Sequence, residues 1–154
     1  MKKNPISKIR YRIGRSSIHR RGTFATSRIR AGTRVVEYLG TVVDGKEADR
    51  LAETDNHVWL FDLEDGRFIF GDPKLAGPCV NHSCDPNCIT EITDGRVFIV
   101  ADQTIQPGEE ITYDYRFEPD VDMHPCNCGA EGCRGTINEK PKKKRRKKGK
   151  SRKK

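Results

Sequence analysis

The sequence predicts a mainly β domain of small sheets with one short helix, and three observations carry that reading. Apolar runs are short and separated by turn pairs, among them Asp65-Gly66, Asp94-Gly95 and Pro107-Gly108. Only the stretch after Asp44 spaces its apolar residues for a helix face. Strands do not alternate with helices, so a parallel βαβ sheet is not expected.

Taken in order, residues 9–13 alternate apolar and basic side chains and predict an edge strand. Residues 17–25 form a tight segment ending in a small apolar patch. Residues 34–39 read as a strand, punctuated by Gly40 before 41–43. Asp44 is placed to cap a helix through Glu53, with Ala48, Leu51 and Ala52 on one face. Residues 57–63 predict a strong strand, turned by Asp65-Gly66 into 67–70 as a hairpin. Residues 89–92 and 97–100 form a second hairpin around Asp94-Gly95, and Pro107-Gly108 leads into a last strand at 110–113.

The chain has 154 residues, one domain's worth with room for one modest core. Its mean hydropathy of −0.79 is low, and the charge map explains why. Residues 1–34, 35–139 and 140–154 carry net charges of +11, −15 and +12. Such a chain offers basic ends to polyanions and an acidic middle to basic partners. No apolar run reaches the ~18 residues of a membrane span, so no membrane contact is expected. The N-terminus lacks the apolar stretch of a secretory signal, so export by that route is not expected. Residues 139–154 are read as a disordered Lys/Arg tail that could contact nucleic acid or direct nuclear import.

Residues 81–88, Asn-His-Ser-Cys-Asp-Pro-Asn-Cys, place an amide, an imidazole, a hydroxyl, two thiols and a carboxylate within eight positions. Asp85-Pro86-Asn87 is turn chemistry, so these groups are expected on a loop, where sites concentrate. Cys126, Cys128 and Cys133 follow a C-x-C-x4-C spacing. Three thiolates fall one short of the four that structural zinc prefers, and the fourth must come from Cys79, Cys84 or Cys88; spacing does not choose. Without a secretory signal, metal is a better reading than disulfides. Tyr113 and Tyr115 lie two apart at the end of a strand and share a face, and with Tyr38 they could line one cavity.

These motifs together closely resemble the SET-domain protein lysine methyltransferases with a post-SET zinc segment, most of all the trithorax-type branch. The residues that carry the resemblance are Asn81 to Asn87, Gly108 to Tyr115 and the C-x-C-x4-C. Ile18 to Gly22, Ala31-Gly32-Thr33 and Glu37 to Gly40 match in order before them. The resemblance implies the SET-domain β-clip fold, with a C-terminal pseudoknot. It implies a basic N-terminal extension at 1–15, the SET unit at 16–118, the post-SET segment at 119–138 and the tail beyond. It also implies S-adenosylmethionine as methyl donor, with His19, Arg21, Gly22, Trp59, Asn81, His82 and Asn127 around it. Tyr115 matches the catalytic tyrosine, and Tyr38 and Tyr113 match aromatics of the lysine channel. Cys84 would join Cys126, Cys128 and Cys133 around one structural zinc ion.

The implied activity is methylation of lysine on a basic, DNA-associated protein such as a histone or nucleoid protein. Tyr113, at the family's Phe/Tyr switch position, implies mono- or dimethylation. The compartment would be a nucleus, a host's included, or a bacterial cytoplasm and nucleoid. The substrate could lie against an exposed strand such as 58–63 by strand addition. The sequence departs from the family where a glycine of the cofactor loop is Arg20, at Trp59, and at Pro78-Cys79. Cys79 and Cys88 are expected to be buried free thiols. A different class, a catalytically weak SET module binding nucleic acid or a partner through its basic ends, is the alternative.

Overall fold

The computed structural model describes residues 10–54, 59–119 and 122–143. Among them are ten strands and one helix, arranged in three small sheets. The first sheet has the order β1 (Tyr11–Arg15), β2 (Arg21–Ala25), β10 (Glu110–Tyr113), β7 (Asn81–His82). The second is β3 (Arg34–Glu37), β9 (Arg96–Ala101), β8 (Cys88–Thr93). The third is β4 (Gly40–Asp44), β6 (Arg67–Gly71), β5 (Leu60–Asp62).

Local chemistry explains most boundaries. Asp44 accepts the Glu47 amide at 2.9 Å and caps α1 (Gly45–Thr54), as expected. Of the expected helix face, Ala48 is buried and Leu51 half-buried, but Ala52 is exposed, because α1 touches the sheet through a narrower stripe. Asp94 and Gly95, both at positive φ, make the two-residue turn between β8 and β9. The Pro107-Gly108 turn closes with the Glu109 amide on the Gln106 carbonyl. The strand expected at 57–63 is shorter: β5 begins at Leu60, Trp59 precedes it, and 57–58 lie outside the described residues. β5 is an edge of its sheet.

Two strands follow no pattern in the sequence. β2 carries its buried face on Thr23 and Ala25, and the Thr23 hydroxyl donates to the Ala76 carbonyl. β7 is only two residues long, buried and paired in parallel with β10, in the stretch expected to be a loop. The expected edge strand at 9–13 appears as β1, whose pairing with β2 crosses the expected boundary at 15–16. Residues 1–9 and 144–154 of the expected extension and tail lie outside the described residues.

The main core joins the sheets through Ile29, Ile99, Ile105 and Ile111, all fully buried. Each such side chain stabilises the fold by about 2 kcal/mol relative to exposure. A satellite cluster of Tyr38, Leu63, Ile69 and Val97 sits beneath the third sheet. The loop after β7 clasps β10: the Asn87 side chain donates to the Glu110 carbonyl and accepts the Thr112 amide. β10 is thus held between β2, β7 and that loop, a strapped closure of the kind the resemblance implies.

Candidate active site and four-cysteine cluster

β10 ends at Tyr113, and two residues later Tyr115 stands where β7, the strap loop and the C-terminal segment meet. Its amide donates to His82 Nδ1 at 3.0 Å, and its hydroxyl donates to the Val80 carbonyl at 2.7 Å. A cleft of about 280 Å³ opens beside it, lined in part by His19, Trp59, Asn81, His82, Asn127 and Tyr115 itself. Phe117 and His124 add a wall, their rings edge-to-face at 5.2 Å.

Asn81 is fixed by a polar hub. Its Nδ2 lies within reach of Ser16 Oγ, the Arg21 carbonyl and Glu110 Oε1, at 3.1, 2.9 and 2.8 Å. Ser16 donates to the Glu110 carboxylate and accepts the Ile18 amide. Gly22 lets this carboxylate lie on the backbone, since a Cβ there would stand 2.1 Å from Glu110 Oε1.

His82 is neutral. Its Nδ1 accepts the Tyr115 amide and therefore carries no proton, so the ring hydrogen sits on Nε2, facing Cys84 Sγ at 3.4 Å. Burial lowers its pKa, opposed by Asp114 and helped by Arg134. The 3.5 Å approach of His82 Nδ1 to Asp114 is therefore not an ion pair near neutral pH.

On the other side of Tyr115 runs an aromatic wall. Tyr113 lies 4.8 Å from Tyr115, Phe61 6.4 Å from Tyr113, and Tyr38 5.4 Å from Phe61, centroid to centroid. Tyr38 donates its hydroxyl to the Trp59 carbonyl, and its ring fits because Gly71 has no Cβ to meet it. Burial raises the pKa of Tyr38, Tyr113 and Tyr115, so all three remain protonated hydrogen-bond donors across the working pH range.

Cys84, Cys126, Cys128 and Cys133 bring their sulfurs within 4.8 Å of one another. Cys84 lies 3.7 Å from Cys126 and 3.9 Å from Cys133. A tetrahedral ion with ~2.3 Å bonds to sulfur needs sulfurs about 3.8 Å apart, so the set fits such an ion. Burial opposes charge at Cys128, but the Cys84 and Ala130 amides and the neighbouring thiols outweigh it and bring the pKa down to about 6. Burial raises Cys84 and Cys126. Four sulfurs converging at these distances suit a divalent cation, which stabilises all four as thiolates. Cys79 and Cys88 are buried, free and outside this group, as expected; burial pushes Cys88 up to about 12.

The cluster is wired to the tyrosine strand through Arg134. Its amide donates to Cys84 Sγ, and its guanidinium forms a forked pair with Asp114 at 2.7 and 3.0 Å. Asp114 lies between the two tyrosines in sequence. Burial opposes its charge, but Arg134 and the Arg116 amide hold its pKa below the usual carboxylate value.

Of the residues expected around the cofactor, His19, Trp59, Asn81, His82 and Asn127 line the cleft. Arg21 and Gly22 lie behind it, Arg21 through its carbonyl on Asn81. Arg20, the departure in the cofactor loop, is exposed and adopts φ 38°, the left-handed region a glycine would favour. Pro78 and Cys79 are buried beside Gly71 and Val80. Sequence reasoning missed Ser16, Phe61, Asn87, Glu110 and the Asp114–Arg134 pair. Phe61 was signalled by strand alternation with Trp59; the others become partners only through tertiary contacts.

The β-clip arrangement, the tyrosines beside an Asn-His strand and the four-cysteine cluster define a SET-type domain. Residues 20–116 match the SET domain family, and the chain belongs to it. It is 37% identical over 135 residues to a "Histone-lysine N-methyltransferase, H3 lysine-4 specific" of Schizosaccharomyces pombe, covering 81% of this chain and 15% of that protein. It is 36% identical over 139 residues to "Histone-lysine N-methyltransferase trr" of Drosophila melanogaster, covering 82% of this chain and 6% of that protein. The chain therefore spans only a small part of these relatives. Among solved structures it is similar to KRYPTONITE in complex with mCHH DNA, an H3(1-15) peptide and SAH. That likeness has a TM-score of 0.66 and 26% identity, covering 84% of this chain and 30% of that one.

Proposed function

We propose that the protein is an S-adenosylmethionine-dependent protein-lysine N-methyltransferase acting on a lysine-rich, DNA-associated protein such as a histone or nucleoid protein. The observation that carries this reading is the position of Tyr115. It belongs at once to the cleft of Asn81 and His82 and to the aromatic wall of Tyr38, Phe61 and Tyr113. Two relatives named as histone-lysine N-methyltransferases and a neighbour holding SAH and an H3 peptide support it. The catalytic unit is residues 16–118, with the cysteine segment at 119–138 and the basic tail beyond.

The cleft takes the donor, with Asn81 and His82 on one side, Trp59 and His19 on another and Asn127 from the cysteine segment. S-adenosylmethionine would supply a methyl activated by its sulfonium. The protein's task is then the amine. Free lysine, with a pKa of about 10.4, holds roughly one neutral amine in 2,500 at pH 7, a handicap of about 4.6 kcal/mol. The aromatic wall withdraws water from the ammonium and favours its neutral form. The Tyr115 and Tyr38 hydroxyls donate their hydrogen bonds to the Val80 and Trp59 carbonyls, so their oxygens are left to accept the amine's N–H bonds and turn its lone pair toward the methyl, which is catalysis by positioning. The acidic middle of the chain and the free edge of β5 suit a basic segment added as a strand.

One zinc ion on Cys84, Cys126, Cys128 and Cys133 would close the cleft by fixing Asn127 between two of its ligands. The Lys/Arg tail would hold nucleic acid, and the compartment is one where DNA and its packing proteins meet, a nucleus or a nucleoid.

The test is transfer of labelled methyl to histones and small basic DNA-binding proteins. Tyr115→Phe should cut kcat about 100-fold, the scale of removing one oriented hydrogen-bonding group, and lower the melting temperature by a few degrees for the lost bond to the Val80 carbonyl. No transfer by the folded protein, or equal rates for both forms, would sink the proposal. Tyr113 narrows the channel, so mono- and dimethyl-lysine should dominate and Tyr113→Phe should raise the methylation degree in intact-mass spectra.

A further inference from the structure

Apart from the exposed Arg116 that follows Tyr115, the described arginines divide into two sets. Arg34, Arg50, Arg67, Arg96 and Arg134 each pair with a carboxylate. Among the described residues Arg10, Arg12, Arg15, Arg20, Arg21, Arg28 and Arg30 form no ion pair, and no Asp or Glu occurs before Glu37. All seven come from the β1–β2 hairpin and the loop that follows it, and all but the half-buried Arg10 are exposed.

The fold gathers these cations. Register sets Arg15 directly opposite Arg21, a like-charge pair that costs stability unless a third party carries the opposite charge. Arg10 reaches the Arg28 carbonyl, which brings the far end of the loop back to the start of β1. Arg12 lies over the Phe24 ring, 4.9 Å from its centroid, on the outward face. The carboxylates at the start of β10 and just before it are engaged elsewhere, Glu110 by Ser16 and Asn81 and Glu109 by the Gln106 amide. β1 is the outermost strand of the sheet, so no strand of the described residues pairs along its outer edge.

We propose that the outer edge of this hairpin, with Arg12 on one side of the sheet and Arg15 and Arg21 on the other, is a binding surface for the phosphate backbone of duplex nucleic acid, separate from the cleft and from the basic tail. From residue 10 to 15 a strand runs about 17 Å. That length spans about five phosphates of one DNA strand at 3.4 Å each. Guanidinium groups suit phosphate geometry, and phosphate contacts carry no base specificity. The acidic middle of the domain remains free for the basic substrate, so one molecule engages both components of a nucleoprotein.

The test measures binding of the full-length protein to a fluorescein-labelled 20-base-pair duplex, without methyl donor, as salt is raised. Each phosphate contact contributes about −0.9 to the slope of log affinity against log salt. The Arg12→Gln, Arg15→Gln, Arg28→Gln, Arg30→Gln variant should flatten the slope by 3 to 4. It should therefore lose about 100-fold less affinity between 50 and 200 mM salt. A control removing the same charge from paired positions, Arg34→Gln, Arg50→Gln, Arg67→Gln, Arg96→Gln, should leave the slope unchanged. Equal flattening in both would mean net charge and no face, and no flattening in the first would assign binding to the tail alone; either overturns the proposal. Polyglutamate that displaced the duplex as well as unlabelled DNA would overturn the commitment to phosphate. Thermal melts of both variants establish folding, and methylation of a free basic peptide, unaffected by the first variant, keeps this outcome separate from that of the methyltransferase reading.

Discussion

The sheet that carries Tyr115 and the cysteine segment that faces it are held together by different physics. Around β2 and β10 the fully buried groups are Ile111, Ala25, Ile105 and Thr23, so apolar burial fixes the frame. Between residues 122 and 139 the only buried side chain is Asn138. That segment is fastened by polar devices: the cysteine cluster, the Asp114–Arg134 fork and Asn138, whose side chain binds the Glu118 and Asp122 carbonyls and the His124 amide. The same segment brings Asn127, His124 and Phe117's partners to the cleft. A burial-held frame therefore carries the tyrosine, while a detachable wall completes the cleft.

The largest expected effect breaks the wall and spares the frame. Treatment with a chelator, or Cys84→Ser, should remove the proposed zinc and abolish donor binding. It should expose the amides of 122–139 to rapid hydrogen exchange while those of β8 and β9 stay protected. Loss of protection throughout would show that the two regions form one cooperative unit.

A smaller effect should follow from cutting the strut between them. Asp114→Asn removes a forked pair whose side chains are only 18% and 17% exposed, and should destabilise the segment by about 2 kcal/mol. Because the folded pKa of Asp114 lies below its unfolded value, this stabilisation is present above about pH 4 and disappears as pH falls through the folded value. Urea melts of the two proteins should therefore differ at pH 7 and converge in acid. A difference that persists below both pKa values would mean that the charge is not what matters.

The smallest effect sharpens the frame alone. Arg20 sits at φ 38°, so Arg20→Gly should raise stability by about 0.5–1 kcal/mol and leave metal content unchanged. A lower melting temperature would show that the Arg20 side chain contributes more than its backbone costs.

Much of the frame was legible because its signals are local. Asp44 as a helix cap, the Asp94-Gly95 turn and the Pro107-Gly108 turn each act within four residues, and the structure shows all three. β2 escaped because Thr23, a polar residue, occupies its buried face by virtue of a hydroxyl bond to Ala76, 53 positions away. β7 escaped because two residues carry no period. The aromatic wall was half legible: Tyr38, Tyr113 and Tyr115 stood out, but Phe61 looked like one more strand residue.

By itself the sequence determined the turns, the cap, the alternating strands, the unequal distribution of charge and the motifs that mark the family, all set by short-range sterics and composition. The resemblance already implied Cys84 as the partner of the other three sulfurs, and the structure brings it there; only the tertiary structure decided that Ser16 and Glu110, 94 positions apart, fix Asn81. Likewise it set Arg15 against Arg21 while pairing Arg134 with Asp114. Those outcomes depend on how β10 is clasped between β2 and β7, and no local propensity encodes a contact whose energy exists only once distant segments have been brought together.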